Sequence, residues 1–189
     1  MAIRILDCAS MSPWFPRWHV GTTCLLVETD KGLVLVDTGL GVHDYANPSP
    51  IVQFFKLDFG IHNEPENTAV QQITRLGYSP EDVHHIIMTH LHFDHAGGLP
   101  DFPHAQVHVH RRELEAMQHP RSLMELAYDR ADFAHTPSWQ VYDQPDAEWM
   151  GFKAIRLTFT PEMYLVPLFG HTKGHCGVVI KINNGWIFN

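Results

Sequence analysis

Thr89-His90-Leu91-His92-Phe93-Asp94-His95-Ala96-Gly97-Gly98 places three imidazoles and one carboxylate within six consecutive positions. In an extended segment, His90, His92 and Asp94 would point to the same side. His95 can join them only if the chain turns, which the two glycines that follow would permit. Such a segment can offer two ligands to one metal ion and two to another, and zinc favours this combination of nitrogen and oxygen ligands. The stretch therefore predicts a metal-binding loop.

A second histidine motif lies downstream, at Gly170-His171-Thr172-Lys173-Gly174-His175. It follows an apolar stretch, residues 163–168, that we predict to be a strand. One more imidazole from this motif would complete a three-histidine site that leaves a coordination position open for water. An open position is typical of a catalytic zinc site rather than a structural one.

Short apolar and β-branched runs predict that strands dominate the chain, with a few helices between them. The predicted strands are residues 24–28, 33–36, 83–88, 106–110, 154–159, 163–168, 177–182 and 186–188, and the predicted helices are residues 69–76 and 112–118. Residues 40–63 read as a long irregular loop. In the alternating strand 106–110, His108 and His110 are expected on the polar face. Because the polar motifs follow strands, we expect an α/β arrangement in which helices cover sheets.

Composition limits the classes of function. The chain has 189 residues, 44% hydrophobic and 18% charged, as expected for one soluble globular domain. Its net charge of −8 without a basic run disfavours nucleic acid as a partner, and no segment is apolar enough to span a membrane. The N-terminus lacks the pattern of a secretory signal, so we expect a cytoplasmic protein. Cys8, Cys24 and Cys176 form no CxxC pair and are expected to be small buried residues.

The last residues, Trp186-Ile187-Phe188-Asn189, lie within an apolar strand. A strand at such a position lacks neighbours for its backbone and side chains. We therefore expect a single domain over residues 1–189 that is incomplete at the C-terminus.

The two histidine motifs, together with Asp37-Thr38-Gly39 at the end of an earlier strand, resemble the metallo-β-lactamase superfamily in their order and separation. The resemblance extends from about residue 21 to residue 189. It implies an αββα sandwich of two mixed sheets with outer helices, whose C-terminal part is missing here.

Carried over position by position, the resemblance also implies two metal ions. His90, His92 and His171 would hold the first ion, and Asp94 and His95 would contribute to the second. Zinc is the expected metal, with iron or manganese as alternatives. The family's bridging aspartate and last histidine would lie beyond the end of this sequence.

Two carboxylates, Asp94 and Asp37, are expected to act in catalysis. Asp37 resembles the family's aspartate that supports the metal ligands from behind, although a simple turn residue at the end of a strand is the alternative interpretation. His175 resembles a residue that supports its loop without binding metal.

The resemblance implies a metal-dependent hydrolase that attacks a small-molecule substrate with a metal-bound hydroxide. A lactone or other carboxylic ester is favoured, because residues 67–98 and the long loop after Asp37 resemble the quorum-quenching acyl-homoserine lactonases. The alternatives are a thioester hydrolase of the glyoxalase II kind, a single-iron persulfide dioxygenase and a metal-binding protein without catalysis. The sequence leaves the oligomeric state open.

Overall fold

The computed structural model describes residues 2–13, 19–62, 64–121 and 124–189; Asn63, at the end of the predicted irregular loop, lies outside them. The described residues form two sheets packed face to face. The first sheet contains β1 (Ile3–Met11), β2 (Val20–Thr29), β3 (Gly32–Val36), β4 (Val83–Ile87), β5 (Gln106–His110) and β6 (Ser138–Tyr142). The second contains β7 (Ala147–Trp149), β8 (Phe152–Leu157), β9 (Met163–Pro167), β10 (Cys176–Ile182) and β11 (Gly185–Phe188).

The two sheets differ in strand direction. In the first, β1, β2 and β3 pair antiparallel, whereas β3, β4, β5 and β6 pair parallel. The second sheet, in the order β11-β10-β9-β8-β7, is antiparallel throughout its described pairs. The expected sandwich is confirmed, while the mixed character expected of both sheets is found in the first alone.

Helices connect the strands. The α-helices are α1 (Val42–Ala46), α2 (Pro50–Asp58), α3 (Ala69–Arg75), α4 (Phe93–Ala96) and α5 (Arg111–Gln118); short 3-10 helices are Pro65–Asn67, Pro80–Asp82, Leu99–Asp101, Met124–Ala127 and Arg130–Phe133. The prediction that residues 40–63 are irregular was wrong, because α1 and α2 lie there. Ser49 caps α2 by accepting from the Val52 amide, and Pro50 occupies its first turn.

The buried apolar side chains form separate layers on the two faces of the first sheet. Between the sheets, Val34 and Ile87 of the first pack with Leu165 and Val178 of the second. On the outer face of the first sheet, Ile73 of α3 belongs to a further buried cluster. Burial of both faces explains why the parallel strands carry near-continuous apolar runs.

Burial of both faces also corrects the prediction for β5. His108 and His110 were expected on a polar face but are 4% and 3% exposed. The His108 ring lies between the sheets, near Phe159 (5.4 Å between centroids), and its nitrogens bond to His85 and Tyr142. Alternation cannot mark an exposed face when a strand is covered on both sides.

The three cysteines are free and buried, as predicted. None of the helices in the described part of the chain combines the length and the apolar character needed to cross a bilayer.

The parallel strands bring the polar motifs together. Because β3 and β4 run in the same direction, the residues that follow them, Asp37 and Thr89, emerge at one edge of the first sheet. The loop after β9 reaches this edge from the second sheet, where the Cys176 amide donates to the Thr89 carbonyl (2.9 Å). All predicted site residues therefore lie near one edge of the sandwich.

Candidate metal centre

The loop after β4 is extended only as far as His92. His92 is the N-cap of α4, and the Gly97 amide closes that helix on the Phe93 carbonyl (2.8 Å). The expectation that Asp94 continues an extended array with His90 was therefore wrong. The turn begins at Phe93, before the glycines, since Phe93 is buried and holds α4 against the core.

Three imidazoles converge beside this turn. Ligand atoms of His90, His92 and His171 all lie within 4.8 Å of one another, and the Nε2 atoms of His90 and His171 are 3.2 Å apart. Two nitrogens bound to one tetrahedral zinc at about 2.0–2.1 Å would be separated by roughly 3.3 Å. The buried Nε2 of His92 has no hydrogen-bond partner among the described residues. This unpaired lone pair and the spacing of the rings fit a divalent transition metal.

A second group shares one residue with the first. Ligand atoms of His90, Asp94 and His95 also lie within 4.8 Å of one another, with 3.8 Å between His95 Nε2 and Asp94 Oδ2. His90 thus faces both groups, whereas the resemblance to the family places it at the first ion. The two groups of prospective ligands are therefore adjacent and share His90.

Asp37 lies behind the loop and is fully buried. Its carboxylate accepts hydrogen bonds from the Thr89 amide (2.8 Å), the Thr89 hydroxyl (2.7 Å) and His95 Nδ1 (2.9 Å). Asp37 also has a φ of +53°, which is uncommon outside glycine. Its contacts suit a support for His95, and its backbone is also that of a turn residue, so its catalytic role stays a prediction.

Glu113 of α5 connects the two histidine motifs, and sequence reasoning missed it. Its fully buried carboxylate accepts from the Leu91 amide (2.9 Å), the Thr172 hydroxyl (2.6 Å) and the Gly174 amide (2.9 Å). The Tyr128 hydroxyl also donates to it (3.0 Å). In the sequence, Glu113 lies in a charged helical stretch, which predicts a solvent-exposed face. Only its position one turn after a strand ending at the site could have singled it out.

Burial and neighbouring charges set the protonation of the histidines. Burial lowers the pKa of His90 far below its usual range and lowers the pKa of His92 to about 4, although the Asp94 charge opposes the shift at His92. At His95, burial acts in the same direction, but the charges of Asp37 and Asp94 outweigh it and raise the pKa to about 9. Neutral imidazoles at His90 and His92 have the lone pair that a metal ligand needs.

A cleft of about 430 Å³ opens beside the first group, next to His92 and His171. The Arg112 guanidinium carbon lies 4.2 Å from the centre of the Phe169 ring, and both side chains line the cleft. The cleft therefore combines a cation, aromatic surface and two prospective metal ligands, as sites for small molecules commonly do.

Comparison with known proteins agrees with this geometry. Residues 17–185 match the model of the metallo-beta-lactamase superfamily. The chain is 40% identical to a "Probable metallo-hydrolase" of Mycobacterium tuberculosis over 193 residues, which cover 99% of this chain and 60% of that protein. It is 32% identical to an N-acyl homoserine lactonase of a Bacillus species over 166 residues, or 84% of this chain and 57% of that one. The chain thus spans about 60% of the length of these relatives.

Solved structures show the same fold. The crystal structure of an AiiA variant of B. thuringiensis, with N-decanoyl-L-homoserine bound at its active site, superimposes with a TM-score of 0.73. The two are 23% identical, and the match covers 98% of this chain and 73% of that one.

Proposed function

The chain belongs to the metallo-β-lactamase superfamily, and from this premise we propose that it acts as a metal-dependent hydrolase that opens a lactone or another carboxylic ester. The observation that carries the proposal is the convergence of His90, His92 and His171, with the His92 Nε2 unpaired, at the wall of a cleft. A structural metal site has no need of an adjoining cleft, whereas a hydrolase must admit substrate there.

The two groups of ligands are assigned to zinc, with manganese or iron as alternative occupants. When bound, such a metal supplies Lewis acidity and lowers the pKa of a water molecule. The chain itself holds the ligands in position. Asp37 orients His95 through Nδ1, which leaves Nε2 of that ring facing Asp94.

Asp94 is the carboxylate placed to carry a proton. Its side chain is 23% exposed and lies 3.8 Å from His95 Nε2. Opening an ester or lactone requires a proton to be taken from the attacking water and returned to the leaving oxygen. Asp94 is itself a prospective ligand of the second group, and we assign both transfers to its partly exposed carboxylate.

The cleft supports an acyl substrate. Tyr128 and Phe169 offer aromatic surface for an apolar chain, and Arg112 offers a cation for the carbonyl or the carboxylate product. The Bacillus relatives are N-acyl homoserine lactonases, and solved lactonase structures hold N-acyl homoserines at the active site. An N-acyl homoserine lactone is accordingly our preferred substrate.

The test is a substrate panel on the zinc-loaded protein, with an N-acyl homoserine lactone, a glutathione thioester and a β-lactam measured side by side. We expect the lactone to be hydrolysed fastest and the His92→Ala variant to lose this turnover. A matched variant, His108→Gln, replaces a buried histidine outside the site and should retain lactone turnover. Stoichiometric metal without turnover of any substrate would instead identify a binding protein, and a preference for the thioester would overturn the lactone assignment.

A further inference from the structure

A second cluster of metal-binding residue types lies apart from the candidate metal centre. It comprises His43 and Asp44 of α1 and Asp132 of the 3-10 helix Arg130–Phe133, and we call it the α1 cluster. His43 Nε2 lies 3.2 Å from Asp132 Oδ1 and 3.3 Å from Asp44 Oδ1. Ligand atoms of the three residues all lie within 4.8 Å of one another. The α1 cluster therefore has the spacing of a three-ligand site.

The carboxylates of the α1 cluster are buried and incompletely paired. Asp44 and Asp132 are both fully buried. Asp44 Oδ2 accepts from the Gly41 amide (2.8 Å), but Asp44 Oδ1 and Asp132 Oδ2 have no hydrogen-bond partner among the described residues. The same is true of Oδ2 of the neighbouring Asp129. Buried carboxylate oxygens normally have partners, because a bare buried charge is costly.

In the part of the chain that the structure describes, the nearby basic side chains do not provide hydrogen bonds to the unpaired carboxylate oxygens. Lys56 donates its Nζ to the main-chain carbonyl of Asp44 (2.7 Å). The His43 ring offers Nε2 to both carboxylates at once, although one N–H cannot satisfy two acceptors well. Because a bare negative charge is unfavourable in a buried position, burial raises the pKa of Asp44 to about 6 and that of Asp132 to about 7. Either protons or a bound cation must neutralise the cluster.

We propose that His43, Asp44 and Asp132 bind a divalent cation of the first transition series, such as Zn²⁺ or Mn²⁺, at a site separate from the candidate metal centre. One imidazole with two carboxylates suits these metals, whereas Ca²⁺ and Mg²⁺ prefer oxygen ligands alone. The cation would give the unpaired carboxylate oxygens a partner. It would also join two segments that are distant in sequence.

The position of the α1 cluster suggests a supporting role for this cation. A methyl group placed on Gly97 would collide with Asp44 Oδ2, so Asp44 packs directly against the turn that follows α4. A cation that fixes Asp44 therefore also fixes the backbone next to His95. The role is structural, since the α1 cluster is not among the residues that line the cleft.

The experiment removes the candidate metal centre and measures what still binds. The double variant His90→Ala, His171→Ala lacks ligands from both groups at that centre. In this background, zinc binding by calorimetry and Mn²⁺ binding by electron paramagnetic resonance should still show one site. Adding Asp132→Asn should weaken that binding at least about 10-fold, because the amide is a poorer ligand than the carboxylate. Adding Asp58→Asn, an exposed aspartate at the end of α2, should change nothing.

A further variant separates loss of binding from loss of folding. His43 is 28% exposed in its side chain, so His43→Gln removes the imidazole with little disturbance of the core. In the same background, zinc should raise the melting temperature, and His43→Gln should abolish the rise while circular dichroism stays unchanged. Equal metal binding with and without Asp132→Asn, or no binding in the double variant, would overturn the proposal and leave the α1 cluster neutralised by protons. None of these readouts uses turnover, so the outcome is independent of the proposed hydrolase activity.

Discussion

The histidines between the sheets and those of the candidate metal centre differ in how their ring nitrogens are bonded. In the pair His85–His108, between the sheets, ring nitrogens bond to each other (3.0 Å) and the second nitrogen of His108 bonds to the Tyr142 hydroxyl (2.9 Å). At the candidate metal centre, His92 leaves its buried Nε2 without a partner among the described residues. The pair is a satisfied packing element, whereas the centre keeps a lone pair available.

The difference shows that the number of histidines is a weak indicator of metal binding. What matters is whether the protein itself uses the ring nitrogens. At the centre, the Asp37 carboxylate holds the His95 ring from behind and also accepts two hydrogen bonds from Thr89. Polar groups behind a ligand fix its ring, and the face toward the metal stays free.

Replacing His92 by alanine gives the largest expected effect. Loss of one of three converging imidazoles leaves two, so zinc affinity and lactone hydrolysis should fall by more than the roughly 100-fold reached when a supporting residue is lost. A zinc titration and initial rates would measure the two effects. His108→Gln is the matched control, since it replaces a buried histidine whose nitrogens are already paired. Equal losses of zinc affinity and hydrolysis in the two variants would show that His92 has no special role in metal binding.

Replacing Glu113 by glutamine tests the support beneath the centre. Each carboxylate oxygen accepts two hydrogen bonds, and an amide nitrogen in place of one oxygen would face two donors. The free energy of unfolding should fall by about 3 kcal/mol, given about 1.5–3 kcal/mol for a hydrogen bond to a charged group. Urea unfolding would measure this.

The same variant should also reduce zinc affinity, because Glu113 joins the loops that carry His92 and His171. Glu115→Gln, an exposed position on α5, is the control and should match the parent. A Glu113→Gln protein with the parent's stability and zinc affinity would show that the loops are held by other contacts.

Replacing Asp37 by asparagine should have a smaller effect. The amide keeps the shape and one acceptor oxygen but loses the charge that favours the His95 N–H toward it. Zinc affinity or turnover should weaken by roughly 10–100-fold, as for other supporting residues. A zinc titration identical to that of the parent would return Asp37 to the role of a turn residue.

Much of this arrangement was predictable because it depends on local patterns. The apolar runs located β4 and β9, and the two histidine motifs predicted the residues that the structure brings together at the strand ends. The family and its sandwich fold followed from these motifs and are confirmed. Such features are encoded by residues close together in sequence.

The remaining features depend on contacts between distant segments. Glu113 becomes a support only when the strand before α5 brings it beneath Leu91 and Gly174. The α1 cluster joins His43 and Asp44, in the stretch predicted to be an irregular loop, to Asp132, which lies 88 positions beyond Asp44 in sequence. Likewise, the burial of His108 required knowledge of a sheet on the other side.

The smallest expected effect concerns the His85–His108 pair. It is a loss of folding stability that occurs only at acidic pH. Burial, with the nearby charges of His85 and Lys31, lowers the pKa of His108 to about 3 from an ordinary value of 6.5. In the unfolded chain, His108 therefore binds a proton below about pH 6.5. In the folded chain it binds this proton only below about pH 3. The stability due to neutral His108 is complete above pH 6.5 and is lost as the pH falls through this window.

At pH 5 the loss due to His108 should be about 1–2 kcal/mol relative to pH 8. Glutamine at this position cannot titrate, so the difference in unfolding free energy between pH 8 and pH 5 should be smaller by this amount in His108→Gln. Urea unfolding of both proteins with chelator present removes any contribution from bound metal. If His108→Gln lost stability in acid as steeply as the parent, His108 would have to be protonated in the folded protein at pH 5, and it would not be the neutral, paired ring that its contacts with His85 and Tyr142 indicate.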